Sequence, residues 1–215
     1  MSRLLLAALL LSVQAVAVEA AAQGPIVGDV EGGELRAFPL AVADPRLSAS
    51  SGDKKAELER FAGVVRNDLE MSGAFQLLDK KSFIDTDGLE AAEVRFDDWR
   101  NVGAQGLVKS RLTLQGTDWL IDLFVYEVGS SKLLVKKTLT MPTADIRAAG
   151  HAAADEIFRA FTGEPGVFRT RIAVVKKVQG EKHVFLVDID GDGATQLTRG
   201  GGLNLLPSWA PDGRA

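Results

Sequence analysis

The chain has 215 residues, 46% hydrophobic and 25% charged, with a formal net charge of −4 at pH 7. This is the composition of a folded globular protein, and the mild negative balance gives no electrostatic ground for binding nucleic acid. Cysteine is absent, which excludes disulfides, thiolate metal sites and a cysteine nucleophile.

Residues 1–22 read as a secretory signal peptide. Arg3 precedes an apolar run over 4–18, and Ala20 and Ala22 suit a cleavage site after Ala22. The run is shorter than the about 20 apolar residues of a membrane span; a retained membrane anchor is the alternative. The mature chain is expected to be exported and soluble. Residues 23–34, "QGPIVGDVEGGE", are glycine-rich, acidic and aperiodic. Such a stretch cannot bury enough apolar surface to offset its ordering entropy, so it is expected to be mobile. It reads either as a frayed terminus or as a segment that orders on a partner.

"LRAFPLAVADPR" predicts a short strand on or beside a sheet edge, because Pro39 cannot donate to a ladder. In "DKKAELERFAGVVRNDLEMSG", Leu58, Phe61, Ala62, Val65 and Leu69 trace one face of a helix. Asp53 suits its start and Gly73 its left-handed stop, while Glu59, Arg66, Asn67 and Glu70 form the solvated face. "AFQLLD" predicts a strand, and "FDDWRNVGAQGLV" a short helix around Trp99.

The strongest β pattern follows. "GLVKSRLTLQ" alternates Val108, Ser110, Leu112 and Leu114 against Lys109, Arg111, Thr113 and Gln115. "WLIDLFVYEV" is more buried, and "LLVKKTLTM" turns Leu133, Val135, Leu139 and Met141 inward. Gly-containing turns join the three into an antiparallel meander. "TADIRAAGHAAADEIFRAFTG" is a second helix, with Thr143 as N-cap, a stripe of Ile146, Ala149, Ala153, Ile157 and Phe161, and a stop at Gly163 and Pro165. The fold class is therefore α+β, with two helices on a roughly five-stranded mixed sheet. Beyond it, "RTRIAVVKKV", "KHVFLVDI" and "TQLT" are short strands without helices, the spacing of a sandwich or a propeller blade.

Few residues invite chemistry. Asp188, Asp190 and Asp192 with Gly193 match half of an EF-hand loop, but Arg199 stands where a bidentate Glu is required, so the reading is a polar hairpin turn rather than a metal site. His151 lies one helical turn before Asp155, an arrangement that suits a surface hydrogen bond, half a metal site, or a base with its orienter. His183 opens a strand with no evident partner. Arg169 and Arg171 bracket Thr170 and read as interdomain polar contacts. No Gly-x-Ser-x-Gly elbow and no phosphate-cradling loop occurs, so no catalytic residue, metal or cofactor is called for.

The end of the chain, "LVDIDGDGATQLTRGGGLNLLPSWAPDG", resembles a WD40-like repeat with core Pro-x-Trp-Ser-Pro-Asp-Gly; Pro207, Trp209, Pro211, Asp212 and Gly213 match, and Ala210 replaces the serine. "VVRNDLEMSGAFQLLD" and the run of Gly150, His151, Asp155, Thr162, Gly163, Phe168, Arg169, Thr170, Arg171 and Ile172 resemble the TolB family of the Tol-Pal system. The resemblance implies a signal peptide at 1–22, a mobile segment at 23–34, an α/β domain at 35–164 and, at 165–215, the opening of a six-bladed propeller cut short after the Pro211-Asp212-Gly213 turn. It further implies a non-enzymatic periplasmic adaptor that supports outer-membrane integrity and envelope constriction at division, peripheral to membranes and not inserted. A TolA-like inner-membrane protein would bind Ile26, Val27, Asp29 and Val30, and the lipoprotein Pal would need the full propeller. His151, Arg169 and Arg171 would lie at the domain junction. The alternative is the N-terminal part of a secreted propeller-containing serine peptidase whose hydrolase domain is missing.

A blade needs neighbours to bury its faces, so residues beyond Thr170 are expected to pack poorly in isolation. Limited proteolysis checks this: early cleavage beyond Thr170 is expected, and a resistant tail through Trp209 contradicts it.

Overall fold

The computed structural model describes residues 30–31, 34–35, 37–84 and 87–211; the expected signal peptide lies outside them. The first described elements are β1 (Val30–Glu31) and β2 (Glu34–Leu35), antiparallel with Val30 opposite Leu35. The sequence reading expects no regular structure over 23–34.

Next come β3 (Phe38–Val42), β4 (Arg46–Leu47), helix α1 (Lys55–Met71) and β5 (Phe75–Leu77). Helix α2 (Phe96–Asn101) precedes the meander of β6 (Gly106–Gln115), β7 (Asp118–Glu127) and β8 (Lys132–Pro142). Helix α3 (Ile146–Thr162) follows. The strands form one six-stranded mixed sheet in the order β5-β3-β6-β7-β8, with β4 also paired to β6. Strand β3 sits beside the edge strand, parallel to both neighbours. Pro39 is tolerated there because its nitrogen, which cannot donate, faces the β6 side, where the ladder begins only at Leu40; on that side its carbonyl accepts from the Gln105 N–H at 3.0 Å.

The meander follows the predicted pattern. β6 and β7 pair without interruption from Gly106 opposite Glu127 to Gln115 opposite Asp118, and Gly116 turns the chain at φ 63°. One detail differs. Between β7 and β8 the register shifts, so that Val125 faces Val135 but Tyr126 faces Leu133. The extra residue, Leu134, sends Leu133 to the opposite side of the sheet from Val135, Leu139 and Met141.

Helices α1 and α3 lie together on one face. Phe61, Val65, Leu69, Ile146, Ala149, Ala153, Ile157 and Phe161 bury there against Phe38, Leu40, Val108, Leu112, Ile121 and Val125. Both helices end as read: Gly73 and Gly163 adopt φ 69° and 76°. The start of α3 differs. Thr143 heads a 3-10 turn (Thr143–Asp145), and its N–H donates to Thr117 O at 2.9 Å, tying the turn to the β6–β7 loop rather than capping the helix.

The second face is covered too. Leu89, Val94, Phe96, Trp99 and Ala104 pack on Leu107, Phe124 and Tyr126. Two-sided burial explains why Lys109, placed by alternation among polar residues, is only 1% exposed. Its ammonium donates to the carbonyls of Asp87 and Gly88 and stands 5.4 Å from the Trp99 ring centroid. The Tyr126 hydroxyl donates to Leu89 O, and Glu93 accepts from the Leu89 N–H at 2.9 Å. These contacts pin an otherwise irregular connection to the sheet.

After α3, strands β9 (Arg171–Val178), β10 (Glu181–Asp188) and β11 (Thr195–Gln196) form a separate antiparallel sheet in the order β11-β10-β9. Phe185 and Leu186 are buried, whereas Ile172, Val175, Leu203 and Trp209 are exposed and Leu206 is 91% exposed. Asp212 and Gly213 lie outside the described residues.

Helices α1 and α3 approach closely at Gly150. A Cβ there would stand 2.8 Å from Val64 Cβ and 3.3 Å from Phe61 O. Alanine is favoured over glycine by about 1 kcal/mol in a free helix interior, but overpacking costs about 1–3 kcal/mol. Gly150→Ala is therefore expected to lower the urea midpoint; a raised midpoint would show that the helices have room.

Candidate functional site

Helix α3 carries the side chains that join the two sheets. His151 and Asp155 lie on its buried side, and Arg147 lies one turn before His151. The pairing of His151 with Asp155 read from sequence does not form. The His151 Nδ1–H donates to Asp68 Oδ2 on α1 at 2.6 Å. Asp155 instead accepts from the Phe168 N–H at 3.0 Å and from Arg169 Nε at 2.8 Å. The loop backbone runs so close to Asp155 that a Cβ on Gly166 would meet Asp155 Oδ1 at 2.2 Å. Phe168, buried, closes the first core edge-on to Phe158 at 5.8 Å.

Arg147 reaches the turn after β10. Its guanidinium lies 3.6 Å from Asp188, 2.7 Å from Asp190 and 3.0 Å from Asp192. The turn is also closed from within: the Asp188 N–H donates to Asp192 O at 2.9 Å, and the Asp192 N–H to Asp190 Oδ1 at 3.1 Å. The acid run is thus a hairpin turn gripped by a guanidinium. Ligand-type atoms of Asp68, His151 and Asp190 do lie within 4.8 Å of one another. A metal ion does not fit among them as they stand, because Arg147 Nη2 already sits 2.7 Å from Asp190 and 3.3 Å from His151 Nε2.

The electrostatics of the cluster favour a protonated imidazole. Burial by itself would lower the pKa of His151, but the hydrogen bond to Asp68 and the charges of Asp68 and Asp190 raise it overall. Burial pushes the Asp68 carboxyl up, with the His151 bond acting against that shift. Burial opposes ionisation of Asp190 as well, yet its hydrogen bond from Arg147 holds the pKa below the usual value. The raised His151 value contributes stability that is fully present below the unfolded histidine value, near 6.5, and is lost as pH rises through the folded value.

The residues singled out from sequence fall in three places. Ile26, Val27 and Asp29 lie outside the described residues, and Val30 is in β1. His151 lies in the first half of α3 beside Asp68 and Arg147, and Arg169 lies in the 163–170 connection, bonded to Asp155. Arg171 opens β9, exposed, opposite Asp188. Sequence reasoning missed Asp68, although a carboxylate inside the apolar stripe of α1 was a visible signal. Arg147 gave none, because its acidic partners lie more than forty residues away.

Comparison with known proteins agrees with this architecture. Residues 28–134 match the family model of the TolB amino-terminal domain. The Tol-Pal system protein TolB of Anaeromyxobacter dehalogenans strain 2CP-1 is 37% identical over 183 residues, covering 84% of this chain and 42% of that protein. The same protein of Myxococcus xanthus strain DK1622 is 36% identical over 215 residues, covering 99% of this chain and 48% of that one. The chain belongs to the TolB family. The crystal structure of TolB from Acinetobacter baumannii superposes with a TM-score of 0.70 at 23% identity, over 87% of this chain and 43% of that one, and shares its fold. The chain spans about half the length of the curated TolB relatives it matches. Among the described residues, no helix is long and apolar enough to cross a membrane.

Asp155 tests the junction. Asp155→Ala leaves the buried Phe168 N–H without an acceptor, a loss of about 1–3 kcal/mol. Asp155→Asn keeps that acceptor and gives up only a pair whose arginine is 64% exposed, a loss of about 0–1 kcal/mol. Urea unfolding, with proteolysis of the 163–170 connection, is expected to rank alanine well below asparagine; equal losses would contradict the backbone-holding role.

Proposed function

We propose that this chain is a non-enzymatic periplasmic adaptor of the Tol-Pal system, acting in outer-membrane integrity and envelope constriction at division through protein–protein contacts. Membership of the TolB family carries the reading. The geometry supports it from the other side. His151, a base-like group with an orienting carboxylate, is 4% exposed and enclosed by Asp68 and Arg147, so it has no face for a substrate.

In this reading residues 35–164 are the α/β domain and 165–215 the opening of a propeller. Residues 23–34 bind the C-terminal domain of a TolA-like inner-membrane protein through Ile26, Val27, Asp29 and Val30. The extended backbone of Val30 and Glu31 supports recognition by strand addition to a partner's sheet edge, a mode that gives weak, switchable binding. Pal binds the full propeller, so this chain engages it weakly or not at all.

Calorimetry with the chain begun at residue 23 or at residue 35 tests both partners. The six-stranded sheet starts at Phe38, so the shorter chain keeps its fold. TolA-domain binding is expected only with the longer chain, and undiminished binding by the shorter one removes the segment's role. Tight Pal binding by either would place that site outside the remaining blades.

A further inference from the structure

The charged cluster at the junction spans three elements that are far apart in sequence. Asp68 comes from α1, Arg147 and His151 from α3, and Asp190 from the turn between β10 and β11. His151 is the link. Its Nδ1 meets Asp68 at 2.6 Å, and its Nε2 lies 3.9 Å from Asp190 Oδ2 and 3.3 Å from Arg147 Nη2. Both flanking carboxylate side chains are nearly enclosed, at 0% and 6% exposure. We infer that His151 is a protonation-dependent latch, clamping the β9–β10–β11 sheet against the helical face when it carries a proton and releasing that sheet towards alkaline pH.

The charged groups facing the ring set the direction. Asp68 and Asp190 flank it, Arg147 lies beside Nε2, and Asp155 is the next carboxylate on α3, itself engaged by Arg169. Asp188 and Asp192 act through Arg147. A protonated imidazole adds a second cation, against the repulsion of Arg147, to a site rich in carboxylates, with Nε2 3.9 Å from Asp190 Oδ2. A neutral imidazole adds no charge, and its Nε2 becomes an acceptor for Arg147 Nη2, the nitrogen that also holds Asp190. The raised His151 value supports this direction. The Asp155 contacts to Phe168 and Arg169 stay in place, so release is a loosening of orientation about a retained connection.

The composition suits a direct test, because the chain has no cysteine and only two histidines. Spin labels on Asn67→Cys in α1 and Lys177→Cys in β9, both exposed, report the distance between the two units in the full chain by pulsed electron resonance. One narrow distribution is expected at pH 5.5, broadening towards pH 9, with the midpoint at the His151 pKa measured by NMR. His151→Gln is expected to abolish the pH dependence. Asp190→Asn, at the outer rim, is expected to lower the His151 pKa and broaden the distribution at every pH, which keeps the test valid should His151→Gln unfold the chain. An unchanged distribution from pH 5.5 to 9, or a pH response that survives in a folded His151→Gln variant, overturns the latch.

Discussion

A carboxylate with no exposed surface, in the last turn of a helix, has to find a counter-charge or a proton. Asp68 does so through His151, eighty-three residues away in sequence, and that contact fixes how α1 and α3 lie on each other. Burying an ionised group alone costs several kcal/mol, so other registers of the two helices are disfavoured. Gly150 permits the approach, and the alanines around it keep the helix thin enough for its neighbour. With α3 set in this way, Arg147, one turn earlier, reaches the turn beyond β10. Asp155, one turn later, faces the connection. One helix thus closes a core and holds the following sheet.

Much of this architecture was legible in the sequence. The two long helices, the meander and the later change to short strands follow from periodicity and turn chemistry, signals that act over a few residues. The failures share a physical cause. Lys109 and Leu133 were assigned by strict alternation, which assumes one solvated face and an unbroken register. The 83–104 connection covers that face, and the bulge at Leu134 breaks that register. Neither event has a local signature, since each depends on distant chain returning to the sheet. Thr143 resembled a cap from its neighbours alone, yet its N–H is taken by Thr117 across the meander.

The junction cluster shows the same limit at a finer scale. His151 and Asp155 sit at the spacing that brings side chains together on a helix, and from sequence the pairing was reasonable. Each has a stronger partner elsewhere: Asp68 offers a buried carboxylate, and the Phe168 N–H is a buried donor that needs an acceptor. Competition with distant groups decides the outcome, and one strand of sequence does not display its competitors. The acidic turn was read correctly as a hairpin, but the reason it tolerates three carboxylates, a guanidinium from α3, was out of view.

The connection between the two sheets combines contacts of different kinds. Phe168 enters the first core and stacks edge-on with Phe158, and a buried aromatic of this sort is costly to withdraw. Arg147 and the aspartates around it are polar and partly wet, which makes their hold shorter in range and responsive to salt and protons. The apolar contact therefore fixes where the second unit is attached, while the charged contacts fix which way it faces. Interfaces between domains of one chain, being more polar than obligate ones, commonly leave relative motion available. Attachment can therefore persist while orientation varies.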